Sequence, residues 1–393
     1  MLCLVALVAP AVAGLVLWRG RREQRALTTL KPAPLTSPLL VVIPARNEAS
    51  RLPRTLDLLL AERSTLLTVV VVDDASTDGT AAIVATRARL DPRLSLRRPS
   101  WPPTTDVFGK PRALDDGIRA DTAGHELVLC LDADVHLQPG ALGGLVAALQ
   151  GSGPRVTGTA GVTGTAGGPG GAGSPADALS VMPDLDDVTL AERALVPAFV
   201  AAVGASFPPS AVHDAKRPEA FLNGQLILLR RRALDDVGGF ASVCHTVLED
   251  VALAGRLKAR GHRLRLIDGH GLVATRMYAT FNDIVQGFGK NALALHGRRL
   301  MALALMLTTV AWLPWLCLGA ARLVPGDVDD LVCTLALVVT IACSALNRRT
   351  LRSSPWLALL SPLVMSVVGG VYVRAALVQR ATWRGRTFST RAG

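Results

Sequence analysis

The sequence predicts an α/β domain with a mostly parallel β-sheet covered by helices on both faces, together with transmembrane helices at the N-terminal and C-terminal ends. Two observations predict this fold class. Short β-rich runs such as LLVVI at 39–43 alternate with helical patterns between residues 38 and 290, and continuously apolar strands separated by helices are typical of buried parallel sheets. Runs without any charge lie at 2–18 and 300–321, and a spanning helix needs about 20 mostly apolar residues.

The composition excludes several classes of protein. Half of the 393 residues are hydrophobic and 19% are charged, against about 25% charged in a typical soluble domain. Only 4% are aromatic, which argues against a base-stacking surface, so we expect no nucleic-acid partner. The net charge of +11 fits an anionic membrane surface or a phosphate-bearing ligand. The six cysteines form no C-x-x-C pair, so neither a disulfide framework nor a zinc site is expected.

The first apolar run predicts an N-terminal membrane anchor at 1–18, followed by a basic linker at 19–37. As a helix, residues 2–18 would be about 26 Å long. A cleaved signal peptide is the alternative, but it requires positive charges before the apolar run. Here Arg19, Arg21 and Arg22 follow the run, which favours an uncleaved anchor.

Three further apolar runs predict a C-terminal transmembrane region at 298–377, followed by a basic tail at 378–393. The runs cover 300–321, 331–346 and 355–373. The positive-inside rule predicts a multi-pass protein of the cell membrane with a cytoplasmic domain at 38–297. If all four runs crossed the membrane, the arginine-rich tail would end outside, which conflicts with that rule. The conflict predicts that one of the three C-terminal runs is re-entrant or interfacial instead of spanning, and any of the three fits.

Within the domain at 38–297, the apolar spacing predicts helices near 50–62, 77–90, 111–120, 139–150 and 249–260. Ser50 is a candidate cap for the first helix, and Pro139 suits a first helical turn. Residues 151–174 are mainly Gly, Thr, Ala and Ser, which predicts a flexible loop, either a mobile flap or a tolerated insertion. The apolar stretch 190–207 is either a core helix or an interfacial one.

Polar clusters follow the predicted strands at the sheet edge where α/β proteins bind ligands. Pro44-Ala45-Arg46-Asn47-Glu48 follows the first strand, and Asp73-Asp74 opens a run to Thr80 after the second. Ordinary capping of the next helix accounts for Ser76, Thr77 or Asp78. It accounts poorly for two adjacent carboxylates at a buried strand end, so we expect Asp73 and Asp74 to contact a ligand.

Asp132-Ala133-Asp134 follows the apolar run LVLCL. Two carboxylates two residues apart can hold a hard divalent cation such as Mg²⁺ or Mn²⁺, with positions left for phosphate oxygens. Lys110 is either a phosphate contact or a solvated surface lysine.

Two further polar groups lie downstream of the D-x-D pair. Asn223-Gly224-Gln225 precedes another apolar run, and Glu249-Asp250 opens a helix. The helix dipole favours acidic residues at that position; alternatively, one of these carboxylates is a general base.

Taken together, these blocks resemble the inverting, membrane-associated glycosyltransferases of family 2, which have the Rossmann-like GT-A fold. The resemblance covers roughly 38–290. The matching blocks are VVIPARNEA at 41–49, VVDDASTDGT at 71–80, GKPRALDDGI at 109–118, LCLDADV at 129–135 and LEDVALAGRLKARG at 248–261.

A narrower resemblance is to the bacterial carotenoid and hopanoid-associated glycosyltransferases. It is carried by NGQLILLRRRAL at 223–234, VLEDVALA at 247–254 and TRMYATFNDIVQGFGKN at 275–291. Processive polysaccharide synthases carry a Q-x-x-R-W block, and none follows Asp250. The resemblance therefore implies transfer of a single sugar.

The resemblance implies a role for each matching residue. Asp250 would be the general base, with Glu249 beside it shaping the acceptor site, and Asp134 with Asp132 would bind the divalent cation. Lys290, with Arg276, would lie near the phosphates or the acceptor. The implied donor-binding residues are Pro44, Arg46, Glu48, Asp73, Asp74, Lys110, Asp132, Asn223, Gly224, Gln225 and Arg276.

The resemblance implies transfer from a UDP- or GDP-sugar to a membrane lipid, with Mg²⁺ or Mn²⁺ as cofactor. The acceptor would be a terpenoid such as a carotenoid or hopanoid derivative; a polyprenyl phosphate or glycolipid is the alternative. A nucleotide-sugar-binding membrane protein without catalysis is a second class. A third class, the nucleotidyltransferases, usually carries a Gly-rich basic loop after the first strand. This chain has PARNEA there, which argues against that class.

Overall fold

The computed structural model describes residues 2–99, 108–151, 174–296, 299–323, 327–378, 380–383 and 386–389. The glycine-rich loop predicted at 151–174 lies outside these residues except for its two ends, and part of the basic tail at 378–393 also lies outside them.

The strands, in chain order, are β1 (Thr28–Thr29), β2 (Leu39–Ala45), β3 (Leu67–Asp73), β4 (Leu94–Arg97), β5 (Leu127–Leu131), β6 (Val135–Leu137), β7 (Ala178–Met182), β8 (Asp184–Leu185), β9 (Leu226–Arg230), β10 (Leu264–Asp268), β11 (Val273–Thr275), β12 (Arg380–Trp383) and β13 (Arg386–Ser389).

The α-helices are α1 (Leu2–Ala6), α2 (Val8–Ala26), α3 (Leu52–Leu60), α4 (Thr80–Ala88), α5 (Gly109–Arg119), α6 (Ala141–Gln150), α7 (Leu190–Ser206), α8 (Pro209–His213), α9 (Arg231–Asp236), α10 (Glu249–Ala259), α11 (Phe281–His296), α12 (Leu300–Leu323), α13 (Asp327–Thr350) and α14 (Ser361–Val378). Short 3₁₀ helices cover Phe240–Val243 and Pro355–Leu360.

The chain forms two compact units. The α/β unit comprises Leu27–Asp186 and Phe207–Met277. The helical unit comprises Met1–Ala26, Asp187–Ser206 and Tyr278–Gly393.

An eight-stranded sheet forms the centre of the α/β unit, in the order β1-β10-β7-β9-β5-β2-β3-β4. Strand β9 is antiparallel to both of its neighbours, whereas the other neighbouring pairs are parallel. A second sheet has the order β6-β11-β8. This arrangement confirms the predicted α/β class with a mostly parallel sheet.

Both faces of the large sheet are buried, which explains why its strands are apolar without alternation. In β2, Val41 and Ile43 pack in the core on one face, while Leu40 and Val42 pack in the core on the other. Each layer of helices covers one of these cores, and the β2, β3 and β5 side chains are almost fully buried. Such strands fix the positions of the loops at their carboxyl ends.

Three predicted helix starts are wrong by two or three residues. α3 begins at Leu52 after Arg51, without a side-chain cap from Ser50, because the carbonyl of Glu48 accepts the Arg51 and Leu52 amides. α4 and α6 each follow a glycine with positive φ, Gly79 at 89° and Gly140 at 79°. A left-handed turn therefore sets each start, and Pro139 precedes α6 instead of opening it.

Two glycines allow the basic linker to cross α6. A Cβ built on Gly143 would lie 2.1 Å from the Ala33 carbonyl oxygen, and one on Gly144 would lie 2.1 Å from the Lys31 carbonyl oxygen. Any larger residue would push the linker away from the helix. The linker also continues the sheet edge, because β1 pairs in parallel with β10.

The helical unit contains four helices long and apolar enough to cross a membrane among the described residues: Leu4–Ala26, Leu300–Leu323, Asp329–Thr350 and Pro355–Val378. They coincide with the four predicted apolar runs. The stretch predicted at 190–207 forms α7, where Phe199 stacks on Phe288 of α11 with ring centroids 4.1 Å apart.

Candidate active site

The candidate site lies at the carboxyl ends of β2, β3 and β5. Ala45 at the end of β2 is in register with Asp73 at the end of β3. Beyond β5, the Asp132 amide donates to the Gln225 carbonyl at 2.9 Å. The antiparallel β9 thus brings the segment that precedes it, Asn223-Gly224-Gln225, beside the D-x-D pair.

Lys110 connects three of the predicted site segments. Its Nζ lies 2.7 Å from Asp132 Oδ1 and 3.4 Å from Glu249 Oε1, and it donates to the Gly224 carbonyl at 2.9 Å. Burial by itself would lower the pKa of Lys110, but the Asp132 and Glu249 carboxylates raise it well above its usual value. Lys110 is therefore a fixed positive charge at the centre of the site.

Asp250 is held by two backbone amides. The Gly224 amide donates to Oδ2 at 2.9 Å, and the Val251 amide donates to Oδ1 at 2.8 Å. Burial and the adjacent Glu249 charge raise the pKa of Asp250 to about 6, although Lys110 and the two amides oppose that rise. The carboxylate is oriented and is a better proton acceptor than an exposed aspartate.

We expect Gly224→Ala to reduce turnover at least tenfold while the protein still folds. A Cβ at Gly224 would lie 2.6 Å from Asp250 Oδ2 and 3.1 Å from its Cγ, so the carboxylate must move from its position. Steady-state turnover measures this loss. Gly255→Ala is the matched control, because a Cβ there meets no atom within 4 Å; equal activities of the two variants would contradict the prediction.

The D-x-D carboxylates lie in a dense network. Burial, and then the Asp132 charge, raise the pKa of Asp134 to about 7, while Arg51 and Lys110 act in the opposite direction. The backbone around Asp134 is fixed by Thr275, whose hydroxyl donates to the Asp134 carbonyl at 3.2 Å, and by Thr55, whose hydroxyl donates to the Ala133 carbonyl at 2.7 Å. An ionised Asp134 is thus disfavoured unless a cation lies nearby.

The loops after β2 and β3 support each other. Asn47 and Ala75 have positive φ values of 54° and 55°. The Asn47 amide donates to Ser76 Oγ at 3.0 Å, and Thr77 donates its amide to Asn47 Oδ1 at 2.8 Å. Below the loops, the Glu48 amide donates to Thr80 Oγ1 at 2.9 Å. Hydrogen bonds therefore join the PARNEA and DDASTDGT segments into a single loop assembly at the strand ends.

Among the predicted donor-binding residues in these loops, the three carboxylates Glu48, Asp73 and Asp74 are buried, whereas Pro44 and Arg46 are half-buried. Asp73 is 1% exposed and Asp74 is 7% exposed. Asp73 accepts from the Ser76 amide and lies 3.2 Å from Arg98 Nε. Arg46 donates to the Asp74 carbonyl at 2.8 Å. Pro44 is the penultimate residue of β2, in register with Val72.

Asn223 is positioned by β7. Its amide donates to Ser180 Oγ at 2.6 Å, and its Nδ2 donates to the Val181 carbonyl at 2.9 Å. Gln225 reaches the other side of the site, where its Nε2 lies 3.4 Å from Thr275 Oγ1. These contacts link the NGQ segment to the backbone of Asp134.

Arg276 directly follows Thr275 in the α/β unit, whereas Lys290 lies on α11 in the helical unit. The sequence reasoning did not identify Thr275, Arg51 or Arg98 as site residues. Thr275 had a usable signal, because it is the first residue of the matching block TRMYATFNDIVQGFGKN at 275–291. Arg51 and Arg98 had none, since isolated arginines are common in this chain.

Among the residues that the structure describes, no group of three His, Cys, Asp or Glu side chains could hold a metal ion by itself. The carboxylate pair in the D-x-D segment is Asp132 and Asp134. Mg²⁺ is commonly held in that way, through one or two carboxylates together with substrate phosphates and water.

A sheet of this topology, with a D-x-D pair after β5 and an acidic pair at the start of α10, defines a glycosyltransferase of the GT-A fold. The family comparisons agree with that class. The model of glycosyl transferase family 2 matches residues 40–169, and that of glycosyl transferase family 21 matches residues 118–393. The chain belongs to glycosyl transferase family 21.

Solved structures give the same fold. The mannosyltransferase PcManGT from Pyrobaculum calidifontis, in complex with GDP-Man and Mn²⁺, is 20% identical with a TM-score of 0.54, covering 96% of this chain and 98% of that one.

Two other solved structures have lower TM-scores. Staphylococcus aureus TarS 1–349 with UDP-GlcNAc is 14% identical with a TM-score of 0.39, covering 89% of this chain and 95% of that one. The glucosyl-3-phosphoglycerate synthase from Mycobacterium tuberculosis, with Mn²⁺, UDP and glucosyl-3-phosphoglycerate, is 16% identical with a TM-score of 0.38, covering 68% and 88%. Curated protein sequences contain no significant match.

Proposed function

We propose that this protein is an inverting glycosyltransferase that moves one sugar from a nucleotide-sugar donor to a membrane lipid. The observation that carries the proposal is the position of Asp250, whose carboxylate accepts the Gly224 amide. Lys110 contacts both the Gly224 carbonyl and the Asp132 carboxylate. A proton acceptor and the D-x-D pair thus belong to one site. Inverting transfer needs both groups, one for the acceptor hydroxyl and one for the leaving diphosphate.

In the proposed reaction, Asp250 accepts the proton of the acceptor hydroxyl as that oxygen attacks the anomeric carbon. The bond from the anomeric carbon to the diphosphate breaks on the opposite face, so the configuration inverts in one displacement. The Gly224 amide orients Asp250, and Glu249 beside it shapes the acceptor site. Lys110 places a positive charge near the diphosphate, whose negative charge grows as it leaves.

The residues present fit a divalent cation. Asp132 and Asp134 supply hard oxygen ligands, and the raised pKa of Asp134 reflects a carboxylate whose charge is poorly compensated in the protein alone. Asp134 and Asp132 would hold Mg²⁺ or Mn²⁺, which would supply charge neutralisation for the nucleoside diphosphate. The PcManGT structure contains Mn²⁺ together with its GDP-sugar, which agrees with this proposal.

We assign the donor site to the loops after β2, β3 and β5. The buried Asp73 and Asp74 would hold the nucleoside of a UDP- or GDP-sugar, and Asn223 with Gln225 would line the sugar pocket. Arg276 would lie at the phosphates, since it follows the Thr275 that contacts the Asp134 carbonyl.

The four apolar helices support a membrane-embedded acceptor. An apolar terpenoid such as a carotenoid or hopanoid derivative is our first candidate, on the resemblance of the blocks at 223–234, 247–254 and 275–291. A polyprenyl phosphate or a glycolipid is the second. We further propose a multi-pass protein of the cell membrane with its α/β unit in the cytoplasm, where nucleotide sugars are available and arginine-rich loops are favoured.

A nucleotide-sugar-binding protein without catalysis is the main rival class. A degenerate family member would lack a metal carboxylate or the base, whereas Asp132, Asp134 and Asp250 are all present in this chain. Sugar transfer or hydrolysis that requires a divalent cation excludes the rival.

The activity should depend on pH with an acidic limb near pH 6. Asp250 must be ionised to accept a proton, and its pKa is raised to about 6. Hence kcat/KM should fall about tenfold per pH unit below that value and level off above it. Measurements from pH 4.5 to 9, with activity recovered on return to pH 8 as the control for unfolding, test this expectation. A flat profile down to pH 4.5 would contradict it.

The function is tested by mass spectrometry of lipids from a host that expresses the chain, compared with a host that expresses Asp250→Asn. The expected result is a lipid whose mass is increased by one sugar residue, present only with the wild-type chain. The mass increment identifies the sugar, and the lipid identifies the acceptor. Transfer of radiolabelled sugar from UDP- and GDP-sugars into extracted lipid then identifies the nucleotide.

A further inference from the structure

One face of α2 combines an apolar groove with a basic cluster. The groove has a volume of about 500 Å³ and is lined by Gly14, Leu17, Trp18, Arg21, Arg22 and Arg25. These positions recur at helical spacing, so they form a single stripe that we call the α2 groove. Its first half is apolar and its second half carries three guanidinium groups.

The geometry of the α2 groove matches an amphiphile. Trp18 is 58% exposed, and the Arg22 guanidinium lies over its ring at 5.6 Å from the centroid. A Cβ on Gly14 would meet no atom within 4 Å, so the apolar half is open. Leu17 and Trp18 can contact an acyl chain, while a phosphate group about 10 Å along the helix meets the arginines.

The three cations of the α2 groove are available for a ligand. All three are exposed, and within the described part of the chain no carboxylate forms an ion pair with Arg21, Arg22 or Arg25. Guanidinium groups bind phosphate oxygens through paired hydrogen bonds. We infer that the α2 groove binds the headgroup of an anionic phospholipid, with the acyl chain against Leu17 and Trp18.

The test uses the full chain purified in detergent and native mass spectrometry with added phosphatidylglycerol or phosphatidylcholine. Phosphatidylglycerol should bind with at least tenfold higher affinity, and Arg22→Gln should weaken it about fivefold, since one cation near an anionic lipid contributes ~1 kcal/mol. Arg19→Gln is the matched control, because Arg19 lies on the same helix and does not line the groove.

Equal binding of the two lipids, or equal losses in Arg19→Gln and Arg22→Gln, would overturn the inference. The readout is lipid binding, so it does not depend on whether the protein transfers a sugar.

A second, independent observation concerns the direction of α14. Trp312 Nε1 of α12 donates to Ser366 Oγ at 2.9 Å, and a Cβ on Gly369 would lie 2.6 Å from Thr308 Oγ1. His296, just before α12, lies beside Tyr372 with ring centroids 5.9 Å apart. As α14 proceeds, its partners therefore move back towards the start of α12, so the two helices are antiparallel.

The neighbouring helix α13 is also antiparallel to α12. Cys333 and Ala336 of α13 pack with Cys317 and Ala321 of α12 in one apolar cluster on either side of the loop that joins the two helices. Consequently α13 and α14 run in the same direction although they are consecutive. The connection between them must return into the helical layer.

The segment after α13 provides that return. The Ser353 amide donates to the Arg348 carbonyl at 2.8 Å, which holds the chain at the end of α13. The 3₁₀ helix Pro355–Leu360 then packs against α13. Six residues of 3₁₀ helix advance about 12 Å, enough to bring Ser361 well inside the layer before α14 runs back.

We propose that residues 355–378 form a re-entrant hairpin and that the chain crosses the membrane only with the helices Leu4–Ala26, Leu300–Leu323 and Asp329–Thr350. The tail strand β12 lies next to α11, the helix that precedes α12, which agrees with this path. The basic tail then shares a side with Arg348 and Arg349, and the conflict with the positive-inside rule disappears.

Epitope accessibility in intact spheroplasts tests the hairpin. One full-length version carries the epitope after Gly393 and the other carries it after Pro325, between α12 and α13. The two epitopes should lie on opposite sides, with only the Pro325 version stained before permeabilisation. Staining of both versions, or of neither, before permeabilisation would show that the fourth apolar segment crosses and would overturn the hairpin.

Discussion

Asp250→Asn should abolish measurable sugar transfer while the nucleotide-sugar donor still binds. The amide is close in size to the carboxylate but does not accept the proton of an acceptor hydroxyl, and the loss of general-base assistance typically slows turnover by roughly a hundredfold to ten-thousandfold. Both Asp250 oxygens accept backbone amides in the native site. The asparagine keeps one such acceptor, so the start of α10 should stay in place.

Two measurements separate this loss from a structural effect. Donor affinity by calorimetry should change less than threefold, and the turnover number should carry the whole effect. Glu249→Gln is the matched control: it is the adjacent residue, and its carboxylate lies 3.4 Å from Lys110 Nζ. It should lose about tenfold because it acts through Lys110 and Asp250. Turnover of Asp250→Asn close to the wild-type rate would show that another group is the base.

The strand ends could be predicted from sequence because the physics there is local. The β2, β3 and β5 runs are apolar throughout, a pattern that a sheet buried on both faces explains. The carboxyl ends of parallel strands meet at one edge of the sheet, so the polar clusters after these runs are predicted to lie at that edge. In the structure β5, β2 and β3 are parallel neighbours, so Asp74 and Asp132 follow strand ends at the same edge.

The approach of Glu249 and Asp250 to this edge could not be derived from spacing. It depends on β9 running antiparallel beside β5, which brings Gly224 next to Asp132 and leaves its amide directed at Asp250. An apolar run such as LILLR does not indicate whether its strand is parallel or antiparallel to its neighbours in the sheet. Only the resemblance to a family joined the two segments in advance.

The contacts of Lys110 show a second limit. Its sequence context, Gly-Lys-Pro, allowed both a phosphate contact and a solvated surface residue. The structure gives it carboxylate partners on two different segments, and such long-range pairs depend on the complete fold. The helices α4 and α6 begin later than predicted for a local reason, because each starts directly after a glycine with positive φ.

Asp134→Asn should lower metal-dependent transfer at least a hundredfold and at the same time stabilise the protein. The pKa of Asp134 is about 7 in the folded chain, against an ordinary value of 3.8. Because the carboxyl pKa is higher in the folded state than in the unfolded state, ionisation of Asp134 lowers the free energy of unfolding. This loss begins as the pH rises above the unfolded pKa and reaches its full size above pH 7. At pH 8 it amounts to a few kcal/mol, at ~1.4 kcal/mol per pKa unit, and the neutral asparagine avoids it.

The apparent melting temperature in detergent measures this effect, and its pH dependence has a defined sign. Asp134→Asn should melt several degrees higher than the wild type at pH 8, and the difference should shrink as the pH falls from 7 towards 4. Adding Mn²⁺ with UDP or GDP should stabilise the wild type, because a cation bound at Asp134 compensates the buried negative charge. The variant should be unchanged, because its asparagine has no charge that binds the cation. Asp184→Asn is the control, since Asp184 lies on β8 of the second sheet and pairs with His270. If Asp134→Asn responds to Mn²⁺ and nucleotide as the wild type does, the cation lies elsewhere, and the buried charge of Asp134 serves some other purpose in the fold.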